Sequence, residues 1–384
     1  MELYVHIPFC VRKCDYCDFL SFPGFGCGAD EKHRSLSCRY IDALCSELEA
    51  AFSGLRETGI KCDTCFIGGG TPSVLEKEET EKLLKTISEG ISPLEFTIEC
   101  NPGTLTKEKL EIFKGYGVNR LSIGLQSADN GILKALGRIH TFEQFLESYR
   151  LARSMGFENI NIDLISAVPG QTIDNWKDTL KKVTDLEPEH ISAYSLILEE
   201  ETPLYKKYEE SPLSLALPGE DEEREIYHYT GEYLGSKGYY RYEISNYAKK
   251  GYECRHNIGY WTGEEYFGTG LGAASYLSYE NAVKLKNIPA ESGTDKNMFR
   301  IKNTQSIEEY IPYPSCDTEE ILDISALMAE YCILGLRMTK GISITGFREK
   351  YGTDIMDRFG TILEKYMQLG LLEQKDGHIR FTDK

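Results

Sequence analysis

Three cysteines fall within eight residues near the start of the chain, Cys10, Cys14 and Cys17, spaced C-x3-C-x2-C. Thiolates this close converge on one metal centre far more easily than they pair as disulfides. Four thiolates would close a structural zinc site or fill every corner of a four-iron cluster, whereas three leave one position open for chemistry. The spacing therefore has two readings. One is an iron–sulfur centre with an open iron; the other is a zinc knuckle completed by His6 or by a distant cysteine.

Other residues of chemical type follow at intervals: Gly68-Gly69-Gly70-Thr71-Pro72, Glu99, Gln126, Arg138 and Asp163. Each has an ordinary explanation. A glycine run can be a plain turn, a carboxylate can cap a helix, and an arginine can be a solvated helix end. What joins them is the elements that carry them. Apolar runs at Leu3–Ile7, Asp63–Ile67, Leu94–Ile98, Arg120–Ile123, Ile160–Ile165 and His190–Leu196 read as strands. Between them, helical spacing of apolar residues predicts helices over 39–55, 76–87, 106–115, a stretch running into Leu136, 143–155 and 174–186. Ser21 to Ser37, rich in Gly and polar residues, reads as a loop.

Strand and helix alternating in this way imply a parallel sheet with its crossover helices packed outside. The signatures sit at or just past the carboxyl ends of the strands, apart from Asp163 within one, on the face where such folds place their sites. Six units are too few for eight-stranded closure. The expected fold is α/β, a partial (β/α)6 barrel whose open side admits a sizeable substrate.

Bulk properties narrow the function. At 384 residues with 41% hydrophobic and 27% charged residues, the chain can bury an ample core. Its net charge of −18 disfavours nucleic acid and an anionic membrane surface as partners, and the expected membrane contact is at most peripheral. No apolar run approaches the roughly eighteen residues of a membrane span, and no secretory signal pattern opens the chain. The expected compartment is the cytoplasm. There most of the twelve cysteines, Cys27, Cys38 and Cys100 among them, act as small packing residues. Cys62 and Cys65 have metal-like spacing but run into a strand that should be buried.

The cysteine motif after the first strand and Gly-Gly-Gly-Thr-Pro after the second resemble the radical S-adenosylmethionine (SAM) superfamily. The resemblance implies that Cys10, Cys14 and Cys17 hold a 4Fe-4S cluster whose open iron takes SAM. It extends over nearly the whole chain to the coproporphyrinogen dehydrogenase-like branch. There Tyr4, Gly69, Gly70, Thr71, Glu99, Gln126, Arg138 and Asp163 match SAM-contacting positions. Carboxylates and an amide can bind ribose hydroxyls, and a guanidinium can pair with the methionine carboxylate.

The branch holds two functional classes. One is the oxygen-independent coproporphyrinogen III dehydrogenase, which decarboxylates propionates to vinyls in porphyrin biosynthesis. The other is a haem-chaperone group, expected to bind haem and pass it to acceptor proteins. The dehydrogenases continue their motif with a fourth cysteine where this chain has Phe19, and they carry an arm ahead of the cluster where only nine residues precede Cys10. His256-Asn257-Ile-Gly-Tyr260-Trp261 matches the H-N-x-x-Y-W motif of the chaperone group. On that resemblance His256 is the candidate haem ligand, with His140 and His190 behind it. The expectation is a haem chaperone without dehydrogenase activity. A zinc-dependent barrel hydrolase is the remote alternative.

Three segments are expected. Residues 1–215 form the core barrel, and 216–316 an aromatic-rich extension that includes a helix over 219–235, Gly268-Thr-Gly270-Leu-Gly272 as a packing loop, and a polar connecting stretch over 281–316. Residues 317–384 form a winged-helix-like module with helices near 319–334, 344–351 and 355–369 and a closing strand pair around 371–381. The last 66 residues, 319–384, carry nine Lys/Arg against eleven Asp/Glu, the wrong sign for a DNA-reading face.

Overall fold

Strand β1 (Glu2–Ile7) alternates strictly. Leu3, Val5 and Ile7 are fully buried against helices, while Glu2, Tyr4 and His6 face the other way. The same alternation repeats in β2 (Thr64–Gly69), β3 (Glu95–Cys100), β4 (Arg120–Gln126), β5 (Ile160–Ser166) and β6 (His190–Ser195). One face carries Ile67, Ile98, Ile123, Ile162 and Ile191, all in the core; the other carries Thr64, Glu95, Glu99, Arg120, Ser122, Asp163 and Ser192. Outward faces are apolar because the crossover helices cover them. The inner face is polar, and it forms the lumen.

The structure is a computed structural model that describes residues 1–26, 28–211, 216–288 and 297–383. Cys27, the boundary expected at 215/216 and part of the 281–316 stretch lie outside the described residues. Strands β1 to β6 run side by side in chain order and all parallel. Beyond β6 lie β7 (Tyr240–Arg241) and β8 (Asn246–Ala248), antiparallel. Beyond β1 lies β9 (Tyr266–Thr269), parallel to it, followed by antiparallel β10 (Ala274–Ser278), β11 (Met298–Asn303) and β12 (Cys316–Leu322). The two edges, β12 and β7, do not pair, so the barrel is only partly closed. Among the described residues no helix is long and apolar enough to cross a membrane.

Three expectations need correction. The first crossover helix starts at Glu31, well inside the expected loop, because the Asp30 carboxylate accepts the His33 N–H and caps it. The stretch read as a polar connection contains β11, where Phe299, Ile301 and Asn303 are buried and Arg300 and Lys302 face outward. Those charges hid its period of two. The helix expected at 319–334 is two elements. β12 runs to Leu322, and Asp323 then caps Ile324–Gly335 by accepting the Ser325 and Ala326 N–H groups. Helices Ile324–Gly335, Ile344–Tyr351 and Ile355–Gln368 pack with β13 (Ile342–Ser343), β14 (Leu372–Lys375) and β15 (His378–Phe381) around a small core of their own.

A buried ion pair ties the added strands to the barrel. Lys286 Nζ lies 2.9 Å from Glu47 Oε1 and 3.0 Å from Asn303 Oδ1, and it also donates to the Gly268 carbonyl. Glu47 accepts in turn from Tyr310 Oη at 2.6 Å and from the Gly270 N–H at 2.9 Å. Removing one partner strands the other charge. Lys286→Met should therefore cost about 3 kcal/mol in chemical denaturation, and Glu47→Gln added to it should restore part of the loss. A Lys286→Met protein as stable as the parent would show that the pair holds nothing.

Candidate functional site

The cysteine segment leaves β1 at Pro8 and is clamped from both sides. Cys10 exchanges backbone hydrogen bonds with Phe22 and Phe25, at 2.9 and 3.0 Å, and Phe9 is buried between the rings of Phe25 and Tyr40. On the far side the Asp15 N–H donates to the Leu136 carbonyl, and its carboxylate meets Lys207 at 2.8 Å. The three cysteines are thereby brought to one cavity of about 380 Å³ at the carboxyl end of the sheet. Gly69, Gly70, Thr71, Glu99, Gln126, Arg138 and Asp163 line the same cavity. Tyr4 does not. It lines an adjoining chamber of about 220 Å³, which shares Phe19, Gly69, Glu99, Ser122, Asp163 and Tyr194 with the first.

Each polar side chain is held in place by neighbours. Glu99 accepts the Gly69 N–H at 3.1 Å. Asp163 accepts from Ser122 Oγ at 2.9 Å and from Asn161 Nδ2 at 2.8 Å; Asn161 Oδ1 is anchored by His190 Nδ1 at 2.6 Å. Gln126 sits at a bulge in β4 with φ of 72°, a left-handed conformation that turns its amide towards the cavity. Arg138 donates to Asn101 Oδ1 at 2.7 Å, to the Gly124 carbonyl at 2.8 Å and towards Cys14 Sγ at 3.4 Å, while its Nε is buried without a partner.

Burial pushes Glu99 up to about 8, with the Asp163 charge adding to it and the Gly69 N–H opposing. Asp163 is also raised by burial, against its hydrogen bonds. Burial likewise raises Cys10, and it lifts Cys17 to about 11. Iron must therefore displace protons to bind here.

The donor set fits a three-thiolate cluster and leaves the zinc reading without its fourth ligand. Both His6 ring nitrogens are engaged, at 3.0 Å to Tyr4 Oη and 2.8 Å to the Leu20 carbonyl. Cys100 reaches the cavity wall, but its Sγ turns to the Ile98 carbonyl at 3.7 Å. Among the described residues no group of three or more His, Cys, Asp or Glu side chains, the three cysteines included, is already drawn together around a point.

The glycines serve the protein's own packing. A Cβ at Gly69, where φ is 106°, would lie 2.4 Å from the His6 ring, and one at Gly68 would lie 2.8 Å from Glu99 Oε2. One at Gly70 would meet the Phe9 carbonyl at 2.7 Å. Glycine here lets β1, β2 and Glu99 close together.

His256 lies in helix Arg255–Thr262, against the inner chamber, and is 2% exposed. Its Nδ1 is 2.7 Å from Thr64 Oγ1 and 3.0 Å from Glu2 Oε2; its Nε2 is 2.9 Å from Tyr260 Oη. Since Thr64 gives its own proton to Glu2, the network assigns the ring proton to Nδ1, and Nε2 accepts from Tyr260. Both nitrogens are spoken for. His190 is likewise saturated, by Asn161 and Tyr242, and His140 bonds the Leu125 carbonyl at 3.2 Å with its pKa lowered to about 4 by burial.

Sequence reasoning missed Tyr16, Asn101, Ser122 and Tyr194, all on the cavity wall. It also missed Arg120, which is 2% exposed, has no partner for its Nε and faces the inner chamber. Ser122 and Arg120 were visible as polar residues alternating within an apolar strand.

Residues 4–183 match the family model of the radical SAM superfamily, and residues 324–384 match that of the HemN C-terminal domain. Heme chaperone HemW of Bacillus subtilis is 35% identical over 99% of this chain and 94% of its own length; that of Lactococcus lactis is 35% identical over 99% and 93%. Heme chaperone HemW of Escherichia coli is 35% identical over 74% of this chain and 72% of its own. Coproporphyrinogen III oxidase (HemN) from Escherichia coli shares the fold, with a TM-score of 0.76 and 21% identity over 100% of this chain and 86% of that one. Three thiols at the mouth of a partly closed parallel barrel, with near-full-length similarity to these relatives, place the chain in the radical SAM superfamily, within the family whose curated members are named heme chaperone HemW.

Proposed function

We propose that this chain is a haem chaperone that carries a 4Fe-4S cluster and SAM and delivers haem to acceptor proteins in the cytoplasm. The observation that carries the reading is near-full-length similarity to the heme chaperones, at 35% over 99% of the chain. Cys10, Cys14 and Cys17 would hold the cluster. Thr71, whose hydroxyl is 3.5 Å from Cys10 Sγ, and Arg138, beside Cys14, would stabilise the thiolates. When bound, the cluster supplies an electron and an open iron to SAM. Glu99, Gln126 and Asp163 would orient the ribose, and Gly69, Gly70 and Thr71 would let the ligand approach the backbone. Tyr4 would bound it from the inner chamber.

The dehydrogenase reading is disfavoured by Phe19. Where that branch has a fourth cysteine, this chain has a ring that is 60% exposed and lines both the cavity and the chamber. The purified, cluster-loaded protein should bind haem and leave coproporphyrinogen III unchanged under anaerobic, reducing conditions with SAM. Formation of protoporphyrinogen IX would overturn the chaperone reading.

Cys14→Ala should lose nearly all of the roughly four irons of the reconstituted cluster, measured by iron and sulfide analysis; full iron retention would move the ligand assignment elsewhere. The Glu99 carboxyl provides a separate check on the SAM site. Held near 8, it is largely protonated at pH 7 in the free protein. SAM carries a sulfonium and a net positive charge, which favours the carboxylate, so binding should lower this pKa and release a proton. Affinity should then rise as pH approaches 8 and level off above it. Calorimetry at pH 7 in buffers of different ionisation enthalpy should detect the release, and Glu99→Gln should reduce it. Identical heats in every buffer would place Glu99 away from the ligand.

A further inference from the structure

A second cavity, of about 410 Å³, opens on the far side of the Tyr4 and Tyr260 rings, which also wall the inner chamber. Its floor is one cross-strand row. Tyr266 of β9 pairs with Tyr276 of β10, and Tyr276 pairs with Arg300 of β11. The two phenol rings stack 6.0 Å apart. Its roof is helix Ile324–Gly335, through Glu330 and Leu334, and Trp261 closes one end. Arg300 is fixed by Glu320 at 2.7 Å and by Glu330, and Trp261 is braced by the Arg337 guanidinium 4.2 Å from its ring centroid. The cleft is a slot with aromatic walls, within the roughly 300–1,000 Å³ of small-molecule sites.

We propose that this slot, formed by Trp261, Tyr266, Tyr276, Arg300 and Leu334, seats the porphyrin plate, with the Tyr266 phenolate as ligand to ferric iron. The proposal rests on the haem-chaperone reading above and names its site. Among the described residues no histidine lines the slot, and His256 has both nitrogens bonded elsewhere. Among the described residues the Tyr266 and Tyr276 hydroxyls make no hydrogen bond, and tyrosinate is an established type of haem ligand. Burial pushes the Tyr266 phenol up and the Arg300 guanidinium opposes it, with Glu330 adding to the rise. The phenolic proton leaves to solvent as the Fe–O bond forms, replacing the water or hydroxide of free ferric haem with no change in oxidation state. His256 is then a positioning residue. Four residues before Tyr260 in one helix, it accepts that hydroxyl and holds the ring that separates slot from chamber.

The test is ferric haem titration of the full-length, cluster-loaded protein, read by absorption and resonance Raman. The parent should show a phenolate-to-iron charge-transfer band and an Fe–O(phenolate) stretch. Tyr266→Phe should lose both and bind at least tenfold more weakly, with SAM binding unchanged. Ala274→Trp, at an exposed position lining the slot, should weaken haem and iron-free protoporphyrin alike, whereas Tyr266→Phe should spare the iron-free ring. His256→Ala should keep the phenolate signature. The assignment is overturned if Tyr266→Phe and Ala274→Trp both bind haem as the parent does, or if His256→Ala alone removes the iron's protein ligand. Should Tyr266→Phe not fold, Ala274→Trp decides between slot and no slot. A parent protein with an intact cluster that binds no haem at all fails the chaperone reading itself, a different result from haem bound elsewhere.

Discussion

Everything chemical in this molecule hangs from β1. It pairs with the parallel barrel on one edge, through β2, and with strands β9 to β12 on the other, through β9. Its carboxyl end delivers the cysteine segment, and its amino end holds His256 through Glu2. Leu3, Val5 and Ile7 are pinned under the helices, so a shift of one residue in register would turn those apolar side chains into the lumen. That penalty locks the strand. Glu2, Tyr4 and His6 are then fixed in the lumen as a consequence.

The lumen itself is a managed collection of buried charge. Burial raises both Glu99 and Asp163, the Asp163 charge adds to the rise at Glu99, and Arg120, buried on β4, opposes it at each. Water is replaced by fixed donors from Gly69, Ser122 and Asn161. Such a site needs little reorganisation when a cationic ligand arrives, because its dipoles are already set. The same setting explains the glycine run, which leaves room for Glu99 and His6 as much as for a ligand.

Much of this was legible in the sequence. The six parallel strands, the order of their helices and the rim that gathers Cys10, Glu99, Gln126 and Asp163 follow from periodicity and placement alone. Tyr4 was placed on the right strand, but it lines the inner chamber rather than the main cavity. β11 was hidden because Arg300 and Lys302 on its half-buried face broke the apolar run that marks a strand. β12 was read as helix because Glu319 and Glu320 precede an apolar stretch, and only Asp323 marks the true start. His256 is a different case. A motif names residue types, while the availability of a ring nitrogen depends on Thr64 and Tyr260, partners 192 and four residues away.

Those partners also hold the wall that the inner chamber shares with the aromatic slot. Tyr4 and Tyr260 belong at once to the chamber that opens into the thiol cavity and to the aromatic slot beyond it. Tyr4 is held through His6, whose other nitrogen bonds Leu20 in the cysteine segment. Tyr260 is held through His256 and packs edge-on against Tyr266 at 4.6 Å. A ligand in the slot and one in the chamber would therefore meet the same two rings, each tethered to a buried histidine. Close-packed interiors transmit such pressure rather than absorb it. The histidines matter here as struts, and the hydrogen bonds on both of their ring nitrogens are what hold them in place.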